Sequence, residues 1–316
     1  MPFNKPETFL SPTGASLAVR FQPADDAFKA RGIVQICHGL AEHSARYQDF
    51  AYYLTRHGFH VYAHDHRGHG LTTAPDAPIG QFAHKDGADK VLQDVGFVHR
   101  HIREQHKSLP VILFGHSMGG LITLAALCGN YCKPDAAAIC NSNFADPLTQ
   151  RFATLLLKGE RMFLGSDVAS GLLPKLTFRT WAKQIANYQT QFDWLSHDPA
   201  EVALYNADPL CGFDPSVSLW LDVWRFMAMC NDPAPKHAIT PSLPLYLQGG
   251  GADPSTNHGK ALTALNQRLS RAGLNNITTQ IYPDMRHESL HETQRERFMQ
   301  DFSTWAVQNT KNARPV

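Results

Sequence analysis

The sequence predicts an α/β fold: a mostly parallel central sheet flanked by helices, with an inserted, mostly helical cap. Three observations predict it. Short apolar runs with β-branched residues alternate with segments of helical apolar spacing. One strand-to-helix junction carries Gly115-His116-Ser117-Met118-Gly119, a pattern that lifts a serine hydroxyl clear of a sheet at a sharp turn. The alternation lapses between about residues 144 and 237 and then returns. The chain therefore divides into a first core part at 1–145, a cap at 146–235 and a second core part at 236–316.

The elements follow in order. Thr8 to Leu10 and Leu17 to Phe21 flank the turn cluster Ser11-Pro12-Thr13-Gly14 and read as a hairpin. Ile33 to Cys37 is a buried strand between Gly32 and Gly39. Arg46 to His57 has Tyr47, Phe50, Ala51 and Leu54 at helical spacing and stops at Gly58. Phe59 to Ala63 is a strand that runs into the polar loop His64-Asp65-His66-Arg67-Gly68-His69-Gly70. Asp89 to His106 carries Val91, Leu92, Val95, Val98 and Ile102 on one helical face.

Pro110 opens the strand Val111 to Phe114, the pentapeptide follows, and Gly120 to Leu127 is a helix. Ala136 to Cys140 is the next strand. Strands that alternate with helices in this way form parallel pairs, because each right-handed crossover needs a helix. The lapse holds Trp181, Trp194, Trp220 and Trp224 and helical runs at Phe152 to Leu157 and Leu219 to Met229. Leu243 to Leu247 (strand), Gly259 to Ala272 (helix), Ile277 to Tyr282 (strand) and Thr293 to Val307 (helix) restore the rhythm.

Composition removes several classes. A net charge of +1, with no dense basic run, gives no footprint for nucleic acid. The six cysteines, at 37, 128, 132, 140, 211 and 230, have no Cys-x-x-Cys spacing and read as reduced, mostly buried thiols. Met1 to Pro6 lacks a charged start followed by an apolar stretch, so no signal peptide is expected. No run reaches the roughly 18 apolar residues of a spanning helix. A cytoplasmic protein is expected, with peripheral membrane contact through the cap left open.

A serine hydroxyl needs a base within hydrogen-bond reach, and the base needs an orienting acid. In a parallel sheet such groups converge from loops at the carboxyl ends of strands. For Ser117 the base is then His287, in Pro283-Asp284-Met285-Arg286-His287-Glu288 after the last strand. The acid is Asp253, in Gly249-Gly250-Gly251-Ala252-Asp253-Pro254, where an aspartate would also cap the following helix. Asp146 is the rival acid, and Asp284 is read as structural. The order serine, aspartate, histidine suits this topology. The oxyanion donors are assigned to the backbone N–H groups of Met118 and Leu40.

His38-Gly39-Leu40-Ala41-Glu42-His43-Ser44-Ala45-Arg46-Tyr47, Asp65-His66-Arg67-Gly68-His69-Gly70, Gly115-His116-Ser117-Met118-Gly119-Gly120, Tyr205-Asn206-Ala207-Asp208-Pro209-Leu210, Gly251-Ala252-Asp253 and Arg286-His287-Glu288 occur in that order. With these motifs the chain resembles the monoacylglycerol lipase and lysophospholipase family of α/β-hydrolases, from about residue 8 to 307. The resemblance implies an α/β-hydrolase fold, Ser117 as nucleophile, Asp253 as acid, His287 as base, and Leu40 and Met118 as oxyanion donors. It also implies a lid over an acyl-chain pocket between about residues 145 and 235. The expected substrate is a small acyl ester or single-chain lipid, with no cofactor and no metal. Three places depart from the family's pattern: Ala41 stands where glycine is usual, Thr72 where serine is common, and Asn141-Ser142-Asn143 where a small apolar segment ending in proline is usual.

Other classes use the same residues differently. His64, His66 and His69 form a His-x-His-x-x-His cluster that can look like a metal site, but hydrogen-bonded loop histidines are the better reading. A carboxylesterase, thioesterase or peptidase would use the same three residues on a non-lipid acyl substrate. A catalytically silent fold used for binding is the remote alternative.

Overall fold

Two strands, β1 (Glu7–Leu10) and β2 (Ser16–Gln22), form the expected hairpin. They are followed by β3 (Gly32–Cys37), α1 (Gln48–Thr55), β4 (Phe59–His64), α2 (Gly87–Gln105), β5 (Val111–His116), α3 (Met118–Cys128) and β6 (Ala136–Cys140). Among the described residues, five helices come next: α4 (Pro147–Leu164), α5 (Leu173–Leu176), α6 (Phe178–Ala182), α7 (Pro199–Ala207) and α8 (Val217–Asn231). The chain then returns to β7 (Leu245–Gly250), α9 (Lys260–Arg271), β8 (Ile277–Tyr282) and α10 (Arg295–Thr310). This computed structural model describes residues 3, 5–25, 27, 29–231 and 239–310. The expected boundary at 235 and 236 lies outside the described residues.

Among the described residues the strands make one eight-stranded sheet, in the order β1-β2-β4-β3-β5-β6-β7-β8. The first two strands are antiparallel to their neighbours and all later pairs are parallel. Side chains along β5 and β6 alternate between two cores, as the two-residue period of a strand requires. Ile112, Phe114, Ala136 and Ala138 pack with Phe50 of α1 and Phe298, Phe302 and Trp305 of α10. Leu113, Ala137 and Ile139 pack with Val91 and Leu92 of α2, Ile122 of α3 and Leu262 of α9. Each fully buried phenylalanine contributes roughly 1.5–3 kcal/mol of transfer free energy. Both faces are covered, as expected for a parallel sheet.

Several boundaries differ from expectation, two of them near the site. The helix expected from Arg46 begins at Gln48, after a 3₁₀ turn at Ser44–Tyr47. The strand expected at Leu243 to Leu247 runs instead to Gly250, because Gly249 and Gly250 pair with Ile281 and Tyr282. Glycines read as loop, but here one admits a close neighbour: a Cβ on Gly250 would lie 2.1 Å from the Met285 carbonyl oxygen. Among the described residues no helix is long and apolar enough to cross a membrane.

Candidate active site

Ser117 sits between β5 and α3 at φ 54° and ψ −119°, a strained region for a residue with a side chain. The strain is held from both sides. Its N–H donates to the Cys140 carbonyl at 2.8 Å, and the Ser142 hydroxyl donates to its carbonyl at 2.8 Å. The motif's glycines are needed for space. A Cβ on Gly115 would lie 2.2 Å from the Gly119 oxygen, and one on Gly119 would lie 2.0 Å from the Cys37 oxygen. Strand and helix can approach this closely only without those side chains.

The loops after β7 and β8 bring Asp253 and His287 to this turn. His287 Nε2 lies 2.9 Å from Ser117 Oγ, and His287 Nδ1 lies 2.9 Å from Asp253 Oδ2. Asp253 is fully buried. Its Oδ1 also accepts the Ser255 N–H at 2.8 Å, capping the 3₁₀ turn Pro254–Thr256. The aspartate caps this short turn and not the long helix expected after it, since α9 has Gly259 at its N-cap. Asp146, the rival acid, is exposed and accepts the Leu148 and Thr149 N–H groups at the start of α4. It is a helix cap, and Asp284 is likewise exposed.

Burial pushes the His287 imidazole toward its neutral form, but the charge and hydrogen bond of Asp253, with Glu288 and Glu42 further out, outweigh it. The net pKa is raised above 6.5. Burial would lift the Asp253 carboxyl, yet His287 and the Ser255 hydrogen bonds hold it below the ordinary aspartate value. His116 also lines the pocket, and burial, then the neighbouring His287, depress it to about 4.

Leu40 and Met118 line the same pocket as Ser117. Met118 is the first residue of α3, so its N–H has no partner within the helix and faces outward with the positive end of the dipole. Ala41, after Leu40, adopts φ 54°. Its carbonyl accepts the Tyr205 hydroxyl at 2.8 Å and the Gly212 N–H at 2.9 Å. Left-handed backbone costs an alanine on the order of 1 kcal/mol, so those two bonds from the helical segment hold the turn that glycine would make freely.

A buried ionic network braces the base loop. Arg46 pairs through both guanidinium nitrogens with Glu288 and reaches Glu42 at 2.9 Å. Tyr47 donates to Glu42 at 2.8 Å, and Arg46 lies over the Tyr205 ring at 4.8 Å. Burial alone would lift the Glu288 carboxyl, but Arg46 keeps it ionised. Arg286 donates to the carbonyls of Asp193 and Ser196, each at 2.8 Å, while the Glu288 N–H donates to Leu195 at 2.7 Å. Trp194 is thereby set against the His287 ring, centroids 4.8 Å apart.

The pocket over Ser117 has a free volume of about 100 Å³. Phe178, Trp181, Trp194, Trp220, Val223 and Met227 form its apolar wall. All come from the segment between β6 and β7.

Sequence reasoning missed Ser255, whose hydroxyl touches both Asp253 and His287. The only signal was its place two residues after the aspartate. It noticed Asn141 as a departure without seeing its role: Asn141 donates to Asp253 Oδ2 at 3.3 Å and accepts from the Ser289 hydroxyl at 3.1 Å. The loop histidines are only partly hydrogen-bonded. His69 reaches the Arg67 carbonyl at 2.9 Å, whereas among the described residues the rings of His64 and His66 have no hydrogen-bond partner and pack edge to face, 4.9 Å apart. Among the described residues, three candidate metal-ligand atoms converge instead at His43, Asp208 and Cys211, beside the Arg46 cation that also acts on Cys211 and Asp208.

Comparison with known proteins agrees with this architecture. The profile of the family described as serine aminopeptidase, S33 (Hydrolase_4) matches residues 29–294. A monoacylglycerol lipase of Mycolicibacterium smegmatis is 25% identical over 280 residues, 88% of each chain. The monoglyceride lipase of Homo sapiens is 26% identical over 292 residues, 90% of this chain and 84% of that one. Among solved structures, a carboxyl esterase of Bacillus coagulans in complex with glycerol superposes with a TM-score of 0.86 at 25% identity, covering 97% of this chain and 98% of the other. The chain belongs to the Hydrolase_4 family, and it is a serine hydrolase of the α/β-hydrolase fold.

Proposed function

We propose that the protein hydrolyses the carboxylic ester of a single-acyl-chain lipid, with a monoacylglycerol as the favoured substrate. The observation that carries this reading is the relay from Ser117 Oγ through His287 to Asp253, with 2.9 Å at each step. Ser117 attacks the ester carbonyl while His287 Nε2 takes its proton. Asp253 holds the Nδ1 proton in place and stabilises the imidazolium. The N–H groups of Leu40 and Met118 receive the oxyanion. The collapsing intermediate expels the alcohol, which takes the proton back from His287, and leaves an acyl-enzyme on Ser117. Water, deprotonated by the same imidazole, then releases the fatty acid.

The substrate follows from the walls and from the relatives. Aromatic and aliphatic side chains suit an alkyl chain, worth about 0.8 kcal/mol per buried CH₂. Glu42 and Glu288 line the other side against the single cation of Arg46, which favours a neutral glycerol over a phosphate. The relatives named monoacylglycerol or monoglyceride lipase support the same class. We read residues 146–235 as the cap. A space of about 100 Å³ is well below the roughly 300–1,000 Å³ usual for small-molecule sites, so a long chain enters only when cap helices move outward. Leu148, Phe152, Leu155, Met162 and Phe163 are exposed along α4, a face suited to rest on the lipid surface that supplies such esters.

The tight cavity also favours a second reading, a carboxylesterase for short or aromatic acyl groups. A panel of acyl esters that varies chain length and alcohol separates the two. We expect kcat/KM to rise from short to medium chains on glycerol esters. A steady fall beyond two to four carbons would replace the lipid reading with the esterase.

The acid limb provides a further test. His287 must be neutral to accept the Ser117 proton, and its pKa is raised above 6.5. Activity is therefore low while the imidazole is protonated and climbs as pH passes that raised value. The acid limb of kcat/KM is expected above pH 6.5, and a limb below pH 6 would remove His287 as the base.

A further inference from the structure

We propose that Ser255 is a positioning residue that shares the His287 Nδ1 proton with Asp253, a proposal that rests on the reading of Ser117, His287 and Asp253 above. Ser255 is 4% exposed and lies two residues past the aspartate, in the turn Pro254–Thr256. Its Oγ is 2.7 Å from Asp253 Oδ1 and 2.8 Å from His287 Nδ1. The Asp253 Oδ2 to His287 Nδ1 distance is 2.9 Å. Three groups thus meet in one small triangle, closed on both sides of the carboxylate.

Proton counting fixes the directions. His287 Nε2 must carry a lone pair toward Ser117, so Nδ1 carries the hydrogen. The Ser255 hydroxyl has one hydrogen and two lone pairs. It donates to Asp253 Oδ1, and a lone pair accepts from Nδ1–H. That hydrogen is therefore divided between a carboxylate oxygen and a hydroxyl oxygen. When His287 becomes an imidazolium its N–H is more polar and both acceptors bind it more strongly. The hydroxyl thus favours the charged state that forms during attack and holds the ring plane toward Ser117.

The turn itself has little use for this side chain. Asp253 caps it through the Ser255 backbone N–H at 2.8 Å, and the Ser255 carbonyl accepts from Asn143 Nδ2 at 2.7 Å. Both are main-chain contacts that an alanine would keep. Among the described residues the hydroxyl has no hydrogen-bond partner other than the carboxylate and the imidazole.

The test compares wild type, Ser255→Ala and Ser255→Thr on a water-soluble acyl ester, with thermal midpoints measured in parallel. Ser255→Ala is expected to lower kcat about tenfold with KM within about twofold. Its acid limb should move to lower pH by about 0.5 unit, since the imidazolium loses an acceptor. Ser255→Thr keeps the hydroxyl and should restore both readings. The downfield proton resonance of His287 Nδ1–H should shift in Ser255→Ala, which serves as the deciding reading if the threonine variant fails to fold. A folded Ser255→Ala with the kcat, acid limb and proton resonance of wild type overturns the proposal. So does a loss in Ser255→Ala that follows a fall in thermal midpoint while the limb stays fixed. Ser117→Ala run alongside separates the two levels. Turnover kept by Ser117→Ala removes the reading of the three residues, whereas turnover lost there but unaltered in Ser255→Ala removes only the role of Ser255.

Discussion

Ser117→Ala is expected to remove ester turnover by on the order of 10⁶-fold while the folded state is unchanged. Among the described residues the hydroxyl has one hydrogen-bond partner, His287 Nε2. The bonds that hold the bend use main-chain atoms of Ser117: its N–H donates to the Cys140 carbonyl, and its carbonyl accepts from the Ser142 hydroxyl. Alanine keeps all of them and has the same backbone preference, so the thermal midpoint should move by no more than about 2 °C. No neighbouring hydroxyl can substitute. Ser142 donates to the Ser117 carbonyl, and Ser255 touches the opposite nitrogen of the imidazole. The measurement is turnover and fluorophosphonate labelling in both proteins. Labelling that persists in Ser117→Ala would move the nucleophile elsewhere.

The second large effect is a ranking. Asp253→Asn should lower kcat by about 10⁴-fold, the size seen when an orienting aspartate is lost elsewhere. The amide presents donors as well as an oxygen. It turns Nδ1 into an acceptor and puts the ring hydrogen on Nε2, where it faces Ser117 and blocks proton uptake. Asp146→Asn should leave kcat within about twofold, because asparagine caps a helix as well as aspartate does. Steady-state kinetics of the two variants decides it. Activity lost in Asp146→Asn and kept in Asp253→Asn would exchange their roles.

Much of this was legible because it is local or periodic. Strands and helices announce themselves by spacing, and the elbow is a contiguous motif. The positions of Asp253 and His287 follow from topology, since only loops at one sheet edge meet. Legibility failed where a residue's part depends on what approaches it from far along the chain. Gly249 and Gly250 read as loop although β8 pairs with them. Arg46 and Glu288 are 242 residues apart, and nothing in either neighbourhood names the other. Ser255 looks like any turn serine until an imidazole from a later loop arrives. Of the histidines at 64, 66 and 69, the expected hydrogen bond forms at the His69 ring, while the His64 and His66 rings pack edge to face, which spacing alone does not reveal. Asn141 stood out as a departure, but its contact with Asp253 needed both loops in place.

The clasp that Arg286 makes on the carbonyls of Asp193 and Ser196 would limit how a cap over the pocket could open. Residues 193–196 are tethered to the same stretch of chain that bears the imidazole, so displacing them would drag the base off its serine. On the proposed reading of 146–235 as a cap, any opening would have to hinge elsewhere in that segment, with the tethered tetrapeptide as a fixed jamb. Entry and proton transfer would then be mechanically separate, so that a cap could gape without turning the imidazole from Ser117.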